Sequence, residues 1–293
     1  MLIFRPCWAE EAATFEDKFI NSNIAVSEWF DGVADGLDLF LVGKRLTTKS
    51  NETNVKLESS VSVNAESKPL YSNGVNVNLR LPNVEEYWNL KFTSYDDSVE
   101  KRATVRSPLR RTPREKKYGA TVGLFQKVGA VRVSFQPRIS LGNVLKISHS
   151  LNFESILDFK TFKVNPKLEL FARPEDGTGM FLAANVYVPL GKFWSFTLIN
   201  DGEYFEKTHL FSVSNGFSFG EVLTESTSMS YDLIFDSNNQ PSYHLNAYSL
   251  AVTFHKVLYK EILDYSYGPH LTFTREKSFR SVPGLSVAVG LNF

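Results

Sequence analysis

Leu285, Ser286, Val287, Ala288, Val289, Gly290, Leu291, Asn292 and Phe293 close the chain. Every odd position carries a large apolar side chain, and every even one a small or polar side chain. A period of two puts one row on each face of an extended strand. The same alternation recurs upstream. Leu263, Tyr265, Tyr267, Leu271 and Phe273 alternate with Asp264, Ser266, Gly268, His270 and Thr272. Met229, Tyr231, Leu233 and Phe235 alternate with Ser230 and Asp232, and Val131, Val133, Phe135 and Ile139 with Arg132, Ser134, Gln136 and Arg138. Leu168 and Leu170 alternate with Lys167 and Glu169. Val75, Val77, Leu79 and Leu81 alternate with Asn76, Asn78 and Arg80, and Val55, Leu57, Val61 and Val63 with Lys56, Glu58, Ser60 and Ser62.

Alternation alone also suits a soluble sandwich with its apolar face inward. Three features decide against that. The apolar rows run about 9–11 residues, the length that crosses a membrane at a tilt, whereas sandwich strands average about 5–6. Aromatic residues gather at row ends, at Trp88, Tyr118, Tyr187, Trp194, Phe235 and Phe254, as an interfacial girdle requires. Finally, the last strand ends on the aromatic Phe293. The segment 285–293 resembles the C-terminal signal of bacterial outer-membrane β-barrel proteins, which implies recognition by the barrel-assembly machinery. The resemblance covers residues 54–293, is to the class, and singles out no family.

The predicted fold is therefore all-β, a single antiparallel transmembrane β-barrel. Strands are expected near 54–64, 73–81, 86–95, 117–125, 129–139, 144–153, 164–173, 179–188, 192–200, 207–215, 227–236, 243–254, 262–273 and 283–293. That makes 14 strands, with 12 as the alternative if part of the region 140–163 joins a neighbour. An even number puts both termini on the periplasmic side. Turns at Pro82-Asn83, Lys127-Val128 and Pro189–Gly191 then fall inside, and Asp201-Gly202 and Asp236–Pro241 outside. Pro137, Pro166 and Pro269 each remove a ladder donor and are assigned to bulges or strand ends.

Composition agrees with this class. Of 293 residues, 32 are Lys or Arg and 32 Asp or Glu, so no bulk positive charge points to nucleic acid. Aromatics make up 14%, and one Cys leaves no disulfide framework or multi-Cys zinc site. No run of 18 apolar residues predicts a transmembrane helix. No cofactor is implied, since no phosphate-cradling Gly loop, Ca²⁺ loop or metal-ligand spacing occurs.

The N-terminal part differs. Residues 1–9 end in Cys7-Trp8-Ala9 before Glu10-Glu11, which suits the tail of a signal peptide as well as an ordinary terminus. Residues 10–53 hold an amphipathic helix and a polar linker. Over 24–43, Val26, Trp29, Phe30, Val33, Leu37, Phe40 and Leu41 recur at spacings of three and four. Glu28, Asp31, Asp35 and Asp38 recur on the opposite face, and Gly43 stops the helix. The apolar stripe needs cover. The candidate positions are the periplasmic interface, a partner, and the barrel mouth, where the acids form a plug against inward bases. The last is favoured on charge.

With the apolar row facing lipid, Lys56, Arg80, Lys91, Lys117, Arg132, Arg138, Lys146, Lys167 and Arg173 face the lumen, against Glu58, Glu169, Asp232 and Asp264. With His270 these are the pore-lining candidates. A basic lumen selects by sign, which suits a porin-like channel or binding pore for small polar or anionic solutes. The competing possibility is that the charges pair within a filled lumen, giving a closed structural or surface-interaction barrel. Residues 101–117 hold eight basic residues and one acid, among them Lys101, Arg102, Arg106, Arg110, Arg111 and Arg114. This connection is expected outside, touching lipopolysaccharide phosphates and outer-membrane lipid, or folded in as a constriction. A lipid hydrolase needs a His and a Ser two residues apart on one barrel face. His149 is flanked by Ser148 and Ser150 on the other face, His209 precedes Ser212 by three, and His270 meets only Thr272.

Overall fold

The computed structural model describes residues 14–42, 53–80, 88–94, 118–141 and 145–293. The basic connection 101–117 and the segment 1–9 lie outside the described residues. The side chains of Arg80, Trp88 and residues 36–42, Asp38 among them, are also outside them.

One helix, α1 (Phe15–Val42), precedes the strands. They are β1 (Asn54–Asn64), β2 (Ser67–Arg80), β3 (Trp88–Thr93), β4 (Gly119–Val128), β5 (Val131–Ser140), β6 (Lys146–Ser155), β7 (Leu157–Asp158), β8 (Lys163–Arg173), β9 (Gly177–Leu190), β10 (Trp194–Phe205), β11 (Leu210–Thr224), β12 (Thr227–Asn238), β13 (His244–Leu258), β14 (Leu263–Thr274) and β15 (Ser281–Asn292). Each long strand pairs antiparallel with its sequence neighbours. β1 pairs β15, and β6 pairs β8, so no edge stays open. β7 is a two-residue arm on β8. Fourteen long strands close the barrel, and the region 140–163 adds only that arm. Strands about 4.8 Å apart and tilted about 40° make a fourteen-stranded cylinder about 28 Å across between backbones.

The three prolines sit where a flanking ladder lapses. The β4–β5 ladder skips from Thr121↔Arg138 to Leu124↔Phe135 beside Pro137. The β13–β14 ladder skips from Ala251↔His270 to Phe254↔Tyr267 beside Pro269. The β6–β8 ladder stops at Lys167, one residue after Pro166. A missing N–H costs nothing where no partner carbonyl is presented.

Of two expected turns, one is strand and the other starts three residues later, at 239. Asp201-Gly202 lies inside β10, with Asp201 opposite Ala183 and Ser214, and Asp236 lies inside β12. Asp-Gly is a strong turn signal. It is overridden here because Asp201 is buried on the inward face among small partners. β11 runs to Thr224, well past the expected end at 215. Its Ser214, Asn215 and Gly216 look like a turn, but Gly216 is the space that Ile234 fills. A Cβ there would stand 2.6 Å from Ile234 Cδ1.

α1 starts nine residues before the expected 24. Thr14 and Asp17 cap it reciprocally: Thr14 N donates to Asp17 Oδ2 (3.1 Å), and Asp17 N to Thr14 Oγ1 (3.2 Å). The Thr14 hydroxyl hydrogen bond holds the Asp17 carboxyl below its usual range. At the end away from the termini, Glu66 in the β1–β2 turn accepts from Lys277 and Arg280, which lie beyond β14. Those bonds hold its carboxyl below the ordinary 4.5. A depressed folded pKa adds stability above the unfolded value and loses it as pH falls through the folded one. Lowering pH below about 4.5 is therefore expected to loosen this clamp, and Glu66→Gln to remove that acid-side loss, read as proteolysis of the 275–280 turn against pH.

Candidate functional site

The inner face of the wall is mostly polar, with Phe171, Phe181, Ile199 and Ile234 set among the polar side chains, and the outer face is apolar. Lys91, Thr93, Thr121, Ser134, Arg138, Ser150, Glu169, Asn185, Asp201, Ser214, Asp232, Ser249, His270 and Ser286 are all buried, and the register places them on one face. Their strand neighbours on the other face, such as Phe92, Phe135, Leu170, Leu250, Leu271 and Val289, are exposed although apolar. This inverts the order of a water-soluble protein, and only a lipid surround makes the outer face stable. Aromatic pairs flank the outer belt. Tyr248 stacks on Phe273 at 4.4 Å toward one end, and Phe254 on Tyr267 at 5.0 Å toward the other. Tyr265 to Phe273 is about 27 Å along β14, or about 21 Å of height at a tilt of about 40°, close to the apolar height of such barrels, about 25 Å. No described helix is long and apolar enough to cross a membrane, so crossing falls to strands. The chain is an outer-membrane β-barrel.

Charge is sorted around the lumen. Lys91, Arg138, Glu169, Asp232 and His270 are buried on the inward face. Arg138 Nη1 donates to Thr93 Oγ1 (2.6 Å) and Thr121 Oγ1 (3.4 Å), and its guanidinium occupies the space a Cβ at Gly119 would need. Lys167 Nζ sits 5.6 Å from the Phe181 ring centroid, and the Arg173 guanidinium 4.8 Å from that of Phe171. Lys56 reaches Asp264 at 3.5 Å across the β1–β15–β14 seam. Arg132 is exposed near the β4–β5 turn. Lys146 pairs with Glu175 at the opposite end.

Four inward acids escaped the sequence reasoning: Glu154, Asp201, Glu203 and Asp236. Asp201 and Asp236 were hidden because each sits in a run that imitates a turn. Together they reduce the expected excess of nine bases over four acids to nine over eight. Lys and Arg face inward on β1, β3, β5, β6 and β8, and among described residues none does so from β9 to β15. That arc instead carries Asp201, Glu203, Asp232, Asp236 and Asp264. Asp232 accepts from Ser218 (2.5 Å) and Ser230 (2.9 Å), and Ser214 donates to Asp236.

The helix is not where charge suggested. Ala34 of α1 is fully buried against Leu79, with Val77 and Leu90 beside them. These three belong to the outward row, since Val77 pairs with exposed Phe92 and Leu79 with Leu90. Asn23 Nδ2 donates to Asn292 O (2.7 Å), and the Phe19 ring lies 5.3 Å from Tyr259. The described contacts of α1 thus run along the outside of the wall, at the end that carries the termini. A helix docked on the outward row is not a plug in the barrel mouth. The plug was favoured on charge, but the helix docks through the uncharged Asn23 and Ala34.

The histidines are dispersed. His149 faces outward beside Phe135, with ring centroids 6.4 Å apart. His209 Nδ1 meets Tyr204 Oη at 3.1 Å in the β10–β11 turn, and inward His255 stands 3.9 Å from Asp264. No cluster of three metal-ligating side chains occurs among the described residues.

No family model and no curated protein matches the chain. Several solved structures do. The outer membrane channel DcaP of Acinetobacter baumannii is 7% identical, over 83% of this chain and 97% of its own, with a TM-score of 0.49. A loop-deletion form of OmpT, an outer membrane protein of Vibrio cholerae, is 9% identical over 83% and 99%, with a TM-score of 0.48. The KdgM porin is 6% identical over 82% and 99%, with a TM-score of 0.41. The membrane placement rests on the wall's own inverted polarity, not on these likenesses.

Proposed function

We propose that the barrel is a pore for small polar solutes, including anionic ones. The observation that carries this reading is the make-up of the inward wall. Bases crowd the arc from β1 to β8. The facing arc carries acids set among Ser, Gly and Ala, such as Ser218, Gly216, Ser249, Ala251 and Ser286. Small side chains at these positions leave the lumen width beside them, although Phe181, Ile199 and Ile234 also point inward on this arc. Opposed arcs of unlike charge set a field across the pore, which orients a dipolar solute and holds an anion toward Arg138 and Lys91. A closed barrel would instead fill the same face with large side chains all round.

Planar-bilayer recording on the refolded chain tests this. Stepwise conductance is expected, with weak ion preference because the arcs balance. Arg138→Gln is expected to shift the reversal potential in a salt gradient toward cations, and Asp232→Asn toward anions. Absence of conductance steps from correctly inserted protein would leave the closed structural barrel.

A further inference from the structure

We propose that α1 is a membrane-surface element: its Phe15, Val26, Trp29 and Val33 flank enters the lipid of the leaflet at the terminus-bearing end. At 100° per residue, the side chains turned to the wall (Phe19, Asn23, Ser27, Phe30 and Ala34) form one stripe. Phe15, Val26, Trp29 and Val33 lie about 100° to one side of it, and Trp29 and Val33 are 63% and 43% exposed. Asp17, Glu28, Asp31 and Asp35 lie about 100° to the other side. A helix laid along the rim of a barrel has one flank toward the bilayer and one toward water, and its contacts say which is which. Asp31 Oδ1 accepts from the backbone N–H of Thr53, the residue just before β1, and Asp17 feels Lys260 in the β13–β14 connection. Both partners belong to the terminus-bearing end, so the acidic flank looks away from the belt.

The apolar flank therefore looks toward the belt and continues it. Length agrees with this placement. From Phe19 at the β13–β14 turn to Ala34 on β2, the helix rises about 22 Å, close to the width of the intervening strands β14, β15, β1 and β2. An acidic face is out of place among lipid headgroups. Here it faces water, and the barrel holds the helix at the interface through Asn23 and Ala34. The inference needs only the membrane-spanning wall and stands whether or not the lumen conducts.

The test uses the full chain refolded into phosphatidylcholine vesicles, with Trp8→Phe, Trp88→Phe and Trp194→Phe leaving Trp29 as the single indole. Lipids brominated near the headgroup end of the acyl chain are expected to quench Trp29 several-fold more than lipids brominated near the methyl end, with iodide nearly without effect. Iodide quenching without bromolipid quenching overturns the proposal in favour of a water-facing flank. Quenching by neither overturns it in favour of cover by protein, the lumen or a second copy. A second readout guards against misfolding of the tryptophan variant. In Cys7→Ser, nitroxides at Val33→Cys and Glu28→Cys are expected to split, the first exposed to oxygen and shielded from a water-soluble nickel chelate, the second the reverse. Equal exposure of both to the nickel chelate overturns the proposal.

Discussion

Leu250→Arg is expected to destabilise the inserted barrel by about 2–4 kcal/mol, while Ala251→Arg changes it by about 1 kcal/mol or less. The two residues are adjacent at the middle of β13 and face opposite ways. Leu250 is 44% exposed on the outer face and pairs with Leu233 and Leu271. An Arg there puts a guanidinium among acyl chains at the bilayer centre, where no water or partner compensates its desolvation. Ala251 sits between Asp232 and His270 on the inner face, so an Arg there gains a carboxylate next door. Ser286 is a poorer inward control than its parity suggests. It is packed in the seam, with its hydroxyl 3.0 Å from Ser62 Oγ. Urea unfolding of vesicle-embedded protein reads the difference, and equal losses at 250 and 251 would mean that the faces are assigned the wrong way round.

What was legible in the sequence is what period and length encode. The β1 bounds, the fourteen long strands and the inward placement of Lys91, Arg138, Glu169, Asp232 and His270 all follow from a two-residue alternation, because lipid outside and polar lumen inside enforce it at every position. What was not legible depends on neighbours across strands. Asp201-Gly202 reads as a turn until Ser214 and Ala183 are known to flank Asp201, and Gly216 reads as a breaker until Ile234 is known to lie over it. The helix shows the same limit. Its amphipathicity was plain, but which flank meets protein is set by Asn23 and Ala34, two inconspicuous residues. Asn23 finds a backbone carbonyl at Asn292, and Ala34 is small enough to lie on Leu79. Among the described side chains, the apolar stripe that dominates the sequence pattern shares only Phe30 with the docking stripe.

Deleting Phe293 is expected to abolish accumulation in the membrane while leaving export intact. The residue closes the barrel physically as well as ending the segment that resembles an assembly signal. Phe293 N donates to Val55 O (2.8 Å), and Val55 N to Phe293 O (3.0 Å), adding one reciprocal pair below Lys56↔Asn292 in the β1–β15 ladder. Losing it leaves two backbone groups of Val55 unpaired at the terminus-bearing rim, at a cost of about 1–3 kcal/mol each where water does not replace the bond, and removes a ring from the outward row of Leu285, Val287, Val289 and Leu291. Phe293→Asp keeps both backbone bonds but puts a charge on the outward row. The two variants therefore separate closure from recognition. If closure dominates, the deletion refolds poorly into pure lipid vesicles and Phe293→Asp refolds better. If recognition by assembly machinery dominates, both refold in vitro and both fail in cells. Cell fractionation beside heat-dependent gel mobility of the refolded proteins makes the measurement. Normal membrane levels of the deletion would deny both roles to Phe293.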